Sequence, residues 1–287
     1  MEAWVLNLDA EMEMAQPRGY TPSRRVRAEV ERARRALVGL VARGAVVLEA
    51  GEPAPQAVTG AVGRAWSPTP SALRRLRDAG AVPEAAPPFD VIRRVNARAF
   101  SAGLGQGLPG GALVESVAAF QAVVAAPSAS GIWLAKRAFS VAGRGRKKLR
   151  AGAVTAEDLR WVRASLREGA LQVEPWVEIA TELALHGRVA PGGHVELGEP
   201  TVQEVDAHGA FVDAHRARPG ELSDEVVEAL LDEARRVAEA LRDAGYFGPF
   251  GVDGYLYREG SALRLNPRGE INARYSMAWA IGMGHPA

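Results

Sequence analysis

The segments Phe250-Gly-Val-Asp-Gly-Tyr-Leu-Tyr257 and Gly269-Glu-Ile-Asn-Ala-Arg-Tyr275, joined through a polar Glu-Gly-Ser turn, decide how this chain reads. Alternate side chains of a strand share a face, so Glu270, Asn272 and Arg274 form one ridge while Ile271 and Ala273 turn the other way. An antiparallel neighbour would carry Asp253 onto the same ridge. Two carboxylates and an amide oxygen are the hard donors that suit Mg²⁺ held jointly with nucleotide phosphates. Taken alone, the same residues also fit a solvated polar strand face, and the rest of the chain must choose between the two.

At 287 residues, 47% of them hydrophobic, the chain is long enough for one large or two to three compact domains with a proper core. Lys plus Arg number 35 against 34 Asp plus Glu, so no global field draws the protein to nucleic acid or to a membrane surface. The absence of cysteine removes disulfides, thiolate metal sites and thiol nucleophiles, and is compatible with a reducing cytoplasm. The first residues, Met-Glu-Ala-Trp-Val, lack a signal-like apolar run, and the longest apolar stretch, Val117 to Ala126, is too short to span a bilayer. A cytoplasmic enzyme is the expectation.

Residues 3 to 8 alternate toward a strand, and Thr21-Pro22 then opens a helical stripe ending near Gly44. Ala45 to Leu48 reads as a strand, Thr69-Pro70 opens a short helix to Gly80, and Pro83 to Pro88 forms an extended linker. This N-terminal lobe holds no glycine-rich phosphate loop, which assigns it a structural or substrate-facing part. Beyond it come a helix from Asp90 toward Gly103, a short strand near Ala112 to Val114, a helix over Ser116 to Ala126 and strand Ile132 to Lys136. A loop rich in Gly and Arg, helix Thr155 to about Arg167 and strand Leu171 to Val177 follow. Strands are expected over Glu182–Val189, Val195–Leu197 and within Val202–Val212. Ser223 to Ala244 is the clearest helix, with Val226, Leu230, Ala234, Val237 and Leu241 at helical spacing, acids at its start and Gly245 at its end.

One basic patch is concentrated, Phe139-Ser-Val-Ala-Gly-Arg-Gly-Arg-Lys-Lys148, following Lys136 at the end of its strand. Such a segment can wrap phosphates with backbone N–H groups and cations, and equally can be a solvated loop. His186, His194, His208, His215 and His285 are scattered without metal-ligand spacing and read as structural or surface residues. Asn266-Pro-Arg268 offers a rival register for the metal motif, but Arg264 would then stand where a carboxylate is needed.

Gly-Val-Asp, a hairpin, then Glu-Ile-Asn-Ala-Arg resemble the closing motif of the ATP-grasp superfamily, and the order of elements extends the resemblance over nearly the whole chain. It implies an α+β, part α/β fold: an N-terminal α/β lobe over 1–88, a small lobe over 89–175 and a C-terminal lobe over 176–287, the last two clamping ATP. It further implies that Asp253, Glu270 and Asn272 bind Mg²⁺ or Mn²⁺ and that Arg274 contacts phosphates or an acyl phosphate. Lys136 and Arg98 would reach the phosphates, with Arg94 a competitor one turn earlier, and Gly143, Arg144 and Gly145 would belong to the loop closing over them. Glu174 would offer its carbonyl to the adenine amino group, Val177 its amide to the ring and Glu182 its carboxylate to the ribose. Trp176, in the same hinge, reads more as packing than as function, and Pro175 departs from a regular strand there.

The activity implied is carboxylate–amine ligation through an acyl phosphate, with ATP, a small acid and an amine as partners, an amino acid or peptide among them, and a homodimer allowed. The rivals are an ATP-grasp kinase, a silent ATP-grasp binding module, and a nucleic-acid binder using Arg144 to Arg150. The last is disfavoured by the balanced charge and by the lack of interleaved aromatic residues.

Overall fold

The computed structural model describes residues 1–16, 18–34, 37, 39–49, 55–105, 107–139, 145–206 and 211–284. The Asn-Leu-Asp turn cuts the first strand short, so β1 (Glu2–Val5) leads directly into helix α1 (Ala10–Ala15), followed by α2 (Arg24–Arg34). Strands β2 (Val46–Val47), β3 (Val62–Ala65) and β4 (Val82–Pro83), with helix α3 (Pro70–Asp78), complete a parallel sheet of order β2-β1-β3-β4. Its core is Ala3, Val5, Leu48, Val58 and Leu76. A Cβ on Gly63 would stand 3.1 Å from Leu76 Cδ2, so the glycine lets α3 lie close on the sheet. Glu13 of α1 accepts the Ser71 N–H at 3.0 Å, fastening α1 to the start of α3.

The single helix expected over 90–103 is two, α4 (Phe89–Asn96) and α5 (Arg98–Gly103), broken at Ala97 (φ −74°, ψ 139°). Asn96 causes the break: its amide donates to Ile92 O (2.8 Å) and Ala273 O (3.2 Å) while its carbonyl accepts the Ala273 N–H (2.9 Å). Arg98 therefore opens a new helix and turns toward the sheet motif.

Strands β5 (Ala112–Val114), β6 (Ile132–Lys136), β7 (Arg146–Arg150) and β8 (Leu171–Pro175) form an antiparallel sheet of order β5-β8-β6-β7. Helices α6 (Val117–Ala125) and α7 (Ala156–Leu166) cover it through Phe120, Val124, Trp133, Leu149, Val162 and Val173. Ser116 and Thr155 cap the two helices, the latter in a capping box with Asp158. The basic run expected to be loop is partly strand: Arg146-Lys-Lys-Leu-Arg150 is an edge, where charged residues face water and Leu149 alone is buried. Pro175 ends β8 opposite Trp133 and beyond the reach of β5, which removes the conflict its missing N–H raised.

A six-stranded sheet is built on β9 (Glu178–Val189), with β10 (Val195–Leu197), β11 (Thr201–Val205), β12 (Phe211–Arg216), β13 (Gly248–Glu259) and β14 (Ala262–Asn272), and helix α8 (Asp224–Asp243) lies between β12 and β13 in sequence. The path runs β12-β11-β9-β13-β14, all antiparallel, with β10 also on β9. One sheet face is apolar, and Leu183, Leu185, Val252 and Ile271 pack under α8 residues Leu230, Ala234, Val237 and Leu241; Val95 of α4 joins them. The other face is polar and looks onto a cleft. After β14 the chain closes with α9 (Trp279–Met283), where Tyr275 and Trp279 share a core with Trp4, Leu6, Leu40 and Trp66 of the N-terminal lobe. Among the described residues no helix is long and apolar enough to cross a membrane.

Candidate active site

The pairing of β13 with β14 puts Asp253 opposite Glu270 and Gly251 opposite Asn272, while β9 brings Ala184 beside Asp253 and Glu182 beside Tyr255. Strand alternation then gathers Glu182, Asp253, Glu270 and Asn272 on the cleft face. Between Asp253 and Tyr255, Gly254 alone spans the stretch that Pro267, Arg268 and Gly269 occupy on β14, so the hairpin bulges. A Cβ on Gly254 would stand 2.9 Å from Asn266 O, a contact only glycine allows. The bulge sends Arg268 away from the cleft, to Glu233 (3.3 Å) and Gly105 O (2.9 Å). Arg264 of the rival register ion-pairs with Glu259 (3.1 Å) on the exposed hairpin end.

Asp253 is enclosed and accepts a hydrogen bond from Asn272 Nδ2 at 2.7 Å. Burial, reinforced by the neighbouring Glu270 carboxylate, pushes the Asp253 carboxyl up to about 7. Glu270 is 37% exposed toward the cleft and ion-pairs with Arg98 Nη2 at 3.2 Å. Arg98 is itself held by Arg137 O, which accepts from Nε at 3.0 Å, while Arg94 points elsewhere, donating to Ala244 O at 2.6 Å. Lys136, at the end of β6, ion-pairs with buried Glu174, whose other oxygen accepts from Gln172 Nε2 at 3.1 Å. Burial raises the Glu182 carboxyl, and Lys136 and Arg146 partly offset that rise.

Lys136, Arg146, Glu182, Arg98, Asp253 and Glu270 line one cleft of about 1000 Å³. Gly145 (φ 72°) closes the β6–β7 hairpin, its carbonyl accepting the Arg137 N–H at 2.8 Å. Gly143 and Arg144 lie outside the described residues. Between β8 and β9, the Trp176 N–H is taken by Ile132 O (2.9 Å), its carbonyl accepts from Ser130 (2.7 Å) and its ring lies 3.3 Å beneath the Lys148 ammonium. Trp176 is thus tied on three sides to the segment 130–148. Val177 packs with Leu108, Tyr255 and Tyr257 between β8 and β9.

Arg274 departs from its sequence reading. Strand β14 ends at Asn272, and Arg274, whose N–H turns back to Asn272 O (2.9 Å), sits past the strand. It ion-pairs with Glu11 of α1, donates to Tyr275 O (2.8 Å) and stacks 5.3 Å from the Trp66 ring centroid. Two of its partners belong to the N-terminal lobe, and nothing local in the motif announces them. His186, read from sequence as structural or surface, is fully buried between Gly251 and Gly282, beside Ser276.

The donors present fit a divalent cation. Burial, and next the Glu270 carboxylate opposite, push the Asp253 carboxyl upward, and a cation between the two carboxylates would relieve the repulsion between them. Among the described residues no group of three His, Asp or Glu could hold a metal alone, so two carboxylates and an amide would need further oxygens from a ligand such as a phosphate.

Searches by sequence find no matching protein-family model and no matching curated protein. Solved structures do match. D-alanyl-alanine synthetase A from Vibrio cholerae O1 biovar eltor superposes with TM-score 0.55 at 12% identity, over 99% of this chain and 91% of that one. N5-carboxyaminoimidazole synthetase from Staphylococcus aureus, complexed with ADP, gives 0.51 at 12% identity, over 100% and 78%. Rhizobium etli pyruvate carboxylase gives 0.54 at 18% identity over 75% of this chain, which spans 19% of that much longer protein. At these identities the likeness establishes the fold, and the fold is ATP-grasp.

Proposed function

We propose, from the ATP-grasp fold this chain adopts, that it is an ATP-dependent carboxylate–amine ligase working through an acyl phosphate. The observation that carries this reading is the register Asp253–Glu270 with Asn272 beside it, facing a cleft into which Arg98, Lys136 and Arg146 also open. The names of the synthetases it superposes on support the same class.

In this reading the nucleotide lies between the lobes spanning 89–175 and 176–287. Lys136 and Arg98 hold its phosphates, and Asp253, Glu270 and Asn272 hold the divalent cation. That cation would neutralise phosphate charge and polarise the transferring phosphoryl group. The γ-phosphoryl group passes to a carboxylate oxygen of the acid, the bond to the β-bridging oxygen breaks and ADP forms. The amine nitrogen then attacks the acyl carbon, the carbon–oxygen bond to phosphate breaks, and phosphate leaves while the amine loses a proton. Arg274 stabilises charge on the acyl phosphate, so the protein acts mainly by placement and preorganised charge.

An ADP-release screen across amino acids and short peptides with Mg²⁺ tests the reading. With the correct acid and ATP, hydroxylamine should intercept the activated carboxyl and give a hydroxamate. A stable phosphorylated product that hydroxylamine leaves untouched would make the protein a kinase instead.

A further inference from the structure

Arg98 is bonded to one of the carboxylates that would receive the divalent cation. Its Nη2 donates to Glu270 Oε1 at 3.2 Å. The guanidinium is not a surface charge that can swing clear. Its side chain is 8% exposed, its Nε donates to Arg137 O at 3.0 Å, and its backbone N–H donates to Ala138 O at 3.1 Å. Behind those two carbonyls, Arg137 is ion-paired with Glu168 at 3.1 Å and Ala138 is buried. From the other direction the turn into α5 is pinned to the end of β14, because Asn96 bonds both the N–H and the carbonyl of Ala273, the residue after Asn272. The exit of β6 and the end of β14 together set the guanidinium against the Glu270 carboxylate.

An ion pair placed there governs what the site can bind. Asp253 is engaged as well, accepting from Asn272 Nδ2 at 2.7 Å, so the protein itself supplies a donor to each of the two carboxylates. A bare divalent cation on Glu270 would share that carboxylate with a guanidinium one hydrogen bond away. Like charges so close repel more strongly inside a protein cleft than in open water. A triphosphate reverses the effect. Its oxygens accept from a guanidinium on one side and coordinate a divalent cation on the other, so its negative charge lies between the two positive ones. The side chain that opposes the cation alone therefore favours cation and phosphate together. That is a coupling between two ligands, and it is reciprocal.

We propose that Arg98 makes the divalent cation and the nucleotide bind as a unit, keeping a bare cation off Glu270 and admitting it once phosphate lies alongside. The proposal rests on the nucleotide and metal roles in the ligase reading, and it gives Arg98 a second task beyond holding phosphate. It accounts for a guanidinium this buried standing against a candidate metal-ligating carboxylate, since a plain phosphate contact needs no such partner.

The test is Mn²⁺ titration of the full-length protein without nucleotide, read from the electron paramagnetic resonance signal of unbound Mn²⁺. Arg98→Met removes the charge from an unbranched side chain and should bind Mn²⁺ alone roughly tenfold tighter than wild type. Arg98→Gln, which keeps a donor for Arg137 O, is a second neutral variant and should do the same. Adding Glu270→Gln to either variant should remove the site gained. In calorimetric titrations with ADP, Mn²⁺ should raise ADP affinity in wild type by a factor roughly tenfold larger than in the neutral variants. A purely structural role for Arg98 would weaken every ligand alike and leave that factor unchanged. Equal Mn²⁺ affinity in wild type and both variants overturns the proposal, as does an unchanged coupling factor or a gained site that survives Glu270→Gln. Mn²⁺ gained in the variants and removed by Glu270→Gln, with ADP bound by none of these proteins, would uphold the exclusion by Arg98 and overturn the nucleotide site on which the ligase reading stands.

Discussion

Arg274 is ion-paired with Glu11, a residue 263 positions earlier in the chain, so the last cation of the sheet motif is held by the first helix of the protein. Both side chains are largely buried, at 13% and 7% exposure. Desolvation raises the Glu11 carboxyl and the guanidinium opposes that rise. Helix α1 thereby sets where a candidate catalytic charge sits.

Removing one partner of such a pair leaves the other buried and uncompensated. Glu11→Ala should destabilise the protein by roughly 3 kcal/mol in urea denaturation. A loss of about 0.5 kcal/mol or less would show that solvent serves Arg274 equally well.

Arg274→Lys keeps the charge but loses the planar set of contacts to Glu11, Tyr275 O and the Trp66 face. Turnover should fall by one to two orders of magnitude, roughly, while nucleotide affinity stays near wild type. Equal losses in both would make Arg274 a plain nucleotide contact.

Glu270→Gln replaces a carboxylate on a half-open polar face, so the fold should survive while turnover is abolished. Asn266→Ala should cost only the side-chain hydrogen bond to Tyr255, about 1 kcal/mol, with activity largely kept. The opposite ranking in an activity assay would transfer the metal motif to the Asn266 register.

ATP should raise the melting temperature with Mg²⁺ present and much less in EDTA, because Asp253 and Glu270 would otherwise repel the triphosphate at close range. Identical curves in the two buffers would remove the metal from the site.

Asp253 titrates higher in the folded protein, about 7, than its ordinary value of 3.8. The folded state then holds more protons than the unfolded state between those limits, so this group's contribution to stability falls as pH rises through that window. Divalent-cation binding needs the carboxylate, and Mg²⁺-dependent stabilisation by ATP should therefore grow as pH rises through about 7. Asp253→Asn should stabilise the ligand-free protein above pH 7 and lose the metal response. An unchanged pH–stability curve in that variant would place the titration elsewhere.

The sequence by itself determined whatever depends on neighbours along the chain. Period-two alternation put Glu270 and Asn272 on one face, helical spacing with acids at the start and Gly245 at the end marked 223–244, and the Glu-Gly-Ser turn implied the hairpin that sets Asp253 beside Glu270. These are short-range steric facts; the fold class came from the resemblance of the closing motif and the order of elements to ATP-grasp proteins. Local reading was weaker where a segment answers to distant partners. Asn96 breaks the helix over 90–103 because it bonds Ala273, and Arg146–Arg150 becomes strand because β6 lies alongside it. The bulge at Gly254 brings Asn266 O within 2.9 Å and Pro267 O within 3.0 Å of where a Cβ would stand, a closeness that no local pattern shows. Tertiary structure alone decided that Arg274 meets Glu11 and Trp66, and that His186 and Ser276 face one another across Gly251. Burial, desolvation and the pairing of polar atoms are properties of a packed three-dimensional environment, and no window of sequence contains the residues that create it.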